Sequence, residues 1–153
     1  MGYPYRSILV PIQFDDPSLV VLEMAKQIAT DKQATLHMLH VMPKLPAFGE
    51  PAVSAIGHTP EDEKALTTLR EIAGQHLSGV EHQIHMVGAA PRSLAKAVVQ
   101  LATEVAADLI VLKTHGRKGL YHLILGSVAE EVVRTAPCPV LTLSPAAQEQ
   151  LHA

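Results

Sequence analysis

The sequence predicts an α/β fold: an open, doubly wound, five-stranded parallel sheet with about four helices, in one domain spanning residues 1–153. Two observations carry this. Short apolar runs rich in β-branched residues alternate with longer segments of helical period, the pattern of successive βαβ units. The length suits a single core, and no internal repeat, low-complexity tract or linker divides the chain.

The first strand is "SILVPI", Ser7 to Ile12. A helix follows in "DPSLVVLEMAKQIAT", with Asp16 as its N-cap, Pro17 at the first helical position, and Leu19, Leu22, Ala25, Ile28 and Ala29 on the face that packs on the sheet. The second strand is "ATLHMLHV", Ala34 to Val41. The connection "MPKLPAFGEPAVSAIGHTP" holds four prolines and two glycines, and a link this long reads as a mobile cover or a disordered segment. Helical spacing resumes at Leu66, Leu69, Ile72 and Leu77, before the third strand "EHQIHMV", Glu81 to Val87. Pro91 opens the next helix, with Leu94, Val98, Leu101, Ala102 and Val105 at intervals of three and four. The fourth strand is "DLIVLK", Asp108 to Lys113, and the fifth is "PVLTL", Pro139 to Leu143. Between them lies a last helix after Gly126 and Ser127, turning Val128, Val132 and Val133 inward.

A formal net charge of −3 with balanced acids and bases argues against a nucleic-acid surface or a polybasic membrane anchor, and favours small molecules or proteins as partners. No apolar run reaches the ~20 residues of a membrane span, and the amino-terminal apolar segment is too short for a signal peptide, so the expected location is the cytoplasm. The single cysteine, Cys138, reads as a buried, inert thiol. Nine histidines invite a metal reading. His37 and His40 are three apart on a strand, as are His82 and His85, so alternation sends each pair to opposite faces and no metal site is assigned.

In sheets of this kind ligands sit outside the carboxyl ends of the strands where strand order reverses. "VPIQFDD", "HVMP" and "KTHGRKG" converge there. A glycine loop leading into a helix offers unpaired N–H groups and the positive end of a helix dipole to an anion, usually phosphate. Gly116 and Gly126 permit close approach, Ser127 donates, Arg117 and Lys118 add charge, and His115 is a further donor to phosphate. The alternative is that "SVAE", Ser127 to Glu130, is a capping box serving the helix alone. The "GxxxxGK[ST]" and strand-following "GxGxxG" patterns are absent. Asp15 and Asp16 offer hard oxygen ligands for a cation on bound phosphates, with helix capping by Asp16 as the competing role. For catalysis no residue is assigned, because "LGSVA" lacks the "GxSxG" elbow.

The segments "ILVPIQ", "LHMLHV", "ADLIVLKTHGRKGL" and "LGSVAEEVVRTAPCPVL" resemble the universal stress protein family across nearly the whole chain. The resemblance implies an adenine nucleotide alpha hydrolase-like fold and an adenine-nucleotide-binding regulatory or protective module, with ATP, or ADP or AMP, as ligand and Mg²⁺ as an accompanying ion. ATP-binding members carry a glycine, two residues, a second glycine, nine residues and Gly-Ser or Gly-Thr. Gly116, the stretch Arg117 to Leu125, and Gly126 with Ser127 match this. Lys113 replaces the first glycine, and Gln13 stands where such members usually have an aspartate. The resemblance assigns Ile12, Gln13, Val41, Val87, Gly88, Lys113, His115, Gly116, Gly126, Ser127 and Val128 to the nucleotide site. It also implies a homodimer through the Pro139 to Leu143 edge strand, which removes an exposed sheet edge, and an unidentified protein partner. Two other readings stay open: a nucleotide-independent dimeric interaction protein, and a slow ATP-hydrolysing enzyme.

Overall fold

The computed structural model describes residues 4–114 and 126–152. Among them run β1 (Ser7–Pro11), α1 (Asp16–Lys32), β2 (Thr35–Pro43), β3 (Val53–Ala55), α2 (Pro60–His76) and β4 (His82–Ala89). A 3₁₀ turn (Pro91–Ser93), α3 (Leu94–Glu104), β5 (Leu109–Lys113), α4 (Ser127–Thr135), β6 (Val140–Leu143) and α5 (Pro145–His152) complete them.

Among the described residues the sheet has six strands in the order β3-β4-β2-β1-β5-β6, one more than the sequence predicts. Five are parallel; the sixth, β3, pairs antiparallel with the end of β4, Val53 opposite Ala89 and Ala55 opposite Val87. The long connection after β2 is therefore anchored in its middle rather than a structureless cover. Three residues carry too little periodicity to announce a strand, and β4 supplies the missing hydrogen-bond partners.

Strand alternation divides the apolar residues into two cores. On one face Ile8, Val10, Leu36 and Met38 meet Val21, Leu22 and Ala25 of α1 and Leu69 and Ala73 of α2. On the other, Leu9, Leu39, Ile110 and Leu112 meet Val98, Leu101 and Ala102 of α3 and Ala129 and Val132 of α4. Burial on both faces is what makes these strands nearly continuous apolar runs.

Two helix starts differ from expectation. The N-cap of α1 is Asp15, not Asp16: its extended backbone and its carboxylate, accepting from Ser18 N–H at 3.0 Å, place Asp16 and Pro17 inside the first turn, where a proline's missing donor costs nothing. The N-cap of α4 is Gly126, with no side-chain cap bond, so the Ser127–Glu130 capping box weighed as the alternative to an anion site does not form and Ser127 is already helical. Val132 is fully buried in α4 whereas Val133 is 46% exposed, because a step of five residues from Val128 rotates it off the core face.

Candidate functional site

From β1 the strand order runs outward through β2 and β4 on one side and through β5 and β6 on the other, so the reversal falls between β1 and β5. At its carboxyl end stand Gln13, Asp15, Lys113, Thr114 and Gly126. Gly126 N–H donates to Thr114 O at 2.6 Å, which brings the amino end of α4 back beside the end of β5. The first intrahelical bond of α4 is Glu130 N–H to Gly126 O, 2.9 Å, so the amides of Ser127, Val128 and Ala129 precede any intrahelical acceptor. Beside them lies an apolar wall. Val41 and Val87 are register partners on β2 and β4, and with Val128 they pack, half-buried, against the α3–α4 core.

The remaining assigned residues part from this group by alternation. Ile12 is buried in the α1–α2 core, and its main-chain groups are engaged: N–H donates to Leu39 O at 2.8 Å, and the carbonyl accepts from His40 Nδ1 at 3.0 Å. Phe14, half-exposed, stacks on the His40 ring with centroids 4.2 Å apart. Burial lowers the His40 pKa more than the bond to Ile12 raises it, so the ring is a neutral Nδ1–H donor at neutral pH. Gly88 falls on this same face, where a β-carbon would lie 3.0 Å from Lys44 Cδ and 3.4 Å from Ser54 Oγ; its glycine accommodates the crossing Lys44 stem. His115 and Gly116 lie outside the described residues.

Lys113 also faces α1, in alternation with Leu109 and Val111. Its Nζ donates to Asp15 Oδ2 at 2.7 Å and to Gln13 Oε1 at 3.5 Å, and the pair is largely enclosed. Burial pushes the Asp15 carboxyl upward, but the bonds from Lys113 and Ser18 outweigh it and leave the group below the usual carboxylate value. With the Lys113 ammonium 2.7 Å from Oδ2, a divalent cation at Asp15 would face a like charge, so the arrangement does not fit the cation the sequence suggested. Asp15, His40 and Phe14 were absent from the assigned set. Only the Asp15–Asp16 doublet before a proline signals any of them in the sequence.

The in-strand histidine pairs do point to opposite faces, but the β2–β4 register creates a pair that sequence spacing does not reveal. His37 Nδ1 lies 2.9 Å from His85 Nε2 on the α3 side. Burial lowers both pKa values; their mutual repulsion lowers His37 further, while Glu104 offsets part of the effect at His85. Among the described residues no group of three or more His, Cys, Asp or Glu is arranged to hold a metal ion. Cys138 is half-buried against the α3–α4 core, and burial, aided by Asp108, raises its thiol pKa away from reactivity. No helix among the described residues is long and apolar enough to cross a membrane.

Residues 4–144 match the Universal stress protein family. A universal stress protein of Methanocaldococcus jannaschii is 33% identical over 144 residues, covering 91% of this chain and 82% of its own. Universal stress protein A homolog 2 of Coxiella burnetii is 33% identical over 143 residues, covering 91% and 94%. A solved universal stress protein in complex with cAMP superposes with a TM-score of 0.69 at 26% identity, over 93% of this chain and 98% of that one. With a family match running from before β1 to the end of β6, and with relatives of this identity over nearly the whole length, the chain belongs to the universal stress protein family.

Proposed function

We propose that the chain is a regulatory or protective module that binds an adenine nucleotide, with phosphate at the amino end of α4 and the base on the Val41–Val87–Val128 wall. The observation that carries this is the start of α4, where the amides of Ser127, Val128 and Ala129 have no side-chain cap among the described residues. Gly126 caps it without a side chain, and an oxyanion is the natural partner for amides left bare beside a positive helix end. A half-buried apolar wall next to them suits a planar base. The cAMP complex of a similar protein supports an adenine ligand. ATP, ADP, AMP and cAMP share these features, and the active form is the one that binds tightest.

The test is thermal melting with each nucleotide. At a hundred times the dissociation constant a ligand adds ~2.7 kcal/mol. A shift of several degrees, abolished in Gly126→Val, is expected; no shift with any of the four at millimolar concentration overturns the reading.

A second reading, a nucleotide-independent interaction protein, draws on the internal engagement of Ile12 and Lys113. It predicts that melting shift to be zero. Under either reading we place the chain in the cytoplasm as a homodimer through β6, which among the described residues pairs with β5 alone and exposes Leu141. Leu141→Lys should then yield monomers in sedimentation.

A further inference from the structure

The crevice between β1 and β5 carries its own cation. Lys113 holds Asp15 Oδ2 at 2.7 Å and Gln13 Oε1 at 3.5 Å, while Ser18 N–H takes Asp15 Oδ1 at 3.0 Å. Mg²⁺ needs oxygens in near-octahedral array and at least one carboxylate with lone pairs to give. Each Asp15 oxygen keeps a lone pair, but the ammonium 2.7 Å from Oδ2 sets a like charge against any divalent cation there, and Gln13 is a neutral amide. The ammonium is not a loose surface charge either: its side chain is 14% exposed, and Asp15 also caps α1, so separating them disturbs a helix start.

We propose that Lys113 makes nucleotide binding at this crevice independent of a divalent cation, its ammonium standing on Asp15 where a metal would otherwise sit. The proposal rests on the nucleotide reading above and names the ligand form: the free nucleotide rather than its metal complex. Asp15 and Gln13 take two of the three N–H donors of the ammonium among the described residues, so Lys113 neutralises Asp15 and leaves that carboxylate adding no net negative charge at the crevice.

Two measurements on the full chain test this. In calorimetric titration, ATP should bind the parent chain with dissociation constants within about two-fold in EDTA and in excess Mg²⁺. Lys113→Met, which vacates Asp15, should bind at least about ten-fold tighter with Mg²⁺ than with EDTA. In amide NMR, substoichiometric Mn²⁺ should leave the Asp15 and Ser18 signals of the parent chain sharp and broaden them in Lys113→Met, whose fold is checked by circular dichroism. A ten-fold gain with Mg²⁺ in the parent chain, or Mn²⁺ broadening there, overturns the proposal while leaving nucleotide binding standing. ATP failing to bind the parent chain in both media overturns the nucleotide reading and this proposal together.

Discussion

The Lys113–Asp15 pair makes a quantitative prediction about the folded chain, independent of any ligand. Exposed ion pairs contribute about 0.2–1 kcal/mol, whereas removing one partner of a buried pair costs about 3–5 kcal/mol. Side chains 14% and 22% exposed, with N and O 2.7 Å apart, fall between these limits, so Lys113→Met should cost about 2 kcal/mol. For a domain of this size that corresponds to a melting-temperature loss of roughly 4–8 °C. The pH dependence follows from the direction of the Asp15 shift. Its folded-state pKa lies below the ordinary value, so its contribution is complete above the unfolded carboxylate pKa of ~3.9 and is lost as pH falls through the folded value. Urea unfolding at pH 8, 6, 5 and 4 should show parent and Lys113→Met separated by a constant gap down to about pH 5, narrowing below pH 4. A cycle with Asp15→Asn, which keeps a capping oxygen, isolates the charge interaction. A gap under about 0.5 kcal/mol at pH 8, or one that persists unchanged after the carboxylate titrates, refutes the ion-pair account.

Other perturbations read other parts of the fold. The folded-state pKa values of His37 and His85 lie below the ordinary value, so the unfolded chain takes up protons first. Stability is therefore full above ~6.5 and falls as pH drops from there towards the folded values; His37→Phe should flatten that part of the urea-derived profile. Gly88→Val drives a branched side chain into the Lys44 stem and Ser54, costing about 1–3 kcal/mol and loosening β3, which limited proteolysis between residues 44 and 58 would detect. Gln13→Asp places a second carboxylate within reach of the Lys113 ammonium. It should restore Mg²⁺ dependence of ATP binding in calorimetry even with Lys113 present.

The parallel strands were legible because burial on both faces makes each a dense apolar run, and their limits shift by only a residue or two from expectation. The edge strand β3 was not legible, since Val53–Ala55 is defined by the pairing that β4 offers rather than by its own pattern. The local geometry that decides a cap is equally silent in sequence: Asp15 and Asp16 both satisfy the capping rule, and only the bond to Ser18 N–H distinguishes them. The assigned site was read as one group because its residues end strands that converge. Alternation then sends Val41 and Val87 to the face on which Val128 of α4 packs, and Ile12, Gly88 and Lys113 to the other. His37 and His85, 48 residues apart, become neighbours only once the β2–β4 register is fixed.

Register and alternation also change what the two departures from the family pattern mean. In sequence, Lys113 for a glycine and Gln13 for an aspartate are separate losses, a hundred residues apart. In the fold they flank a single charge. An ammonium at 113 with aspartate at 13 would face two carboxylates, leaving the crevice with one uncompensated negative charge against an incoming phosphate. Lysine with glutamine leaves it neutral, because the amide oxygen accepts from Nζ without adding charge and Asp15 alone balances the ammonium. A glycine at 113 would leave Asp15 without its ammonium. Lysine at 113 and glutamine at 13 are thus each favourable in the presence of the other, and on the proposed nucleotide reading they would supply a counter-charge fixed in the chain.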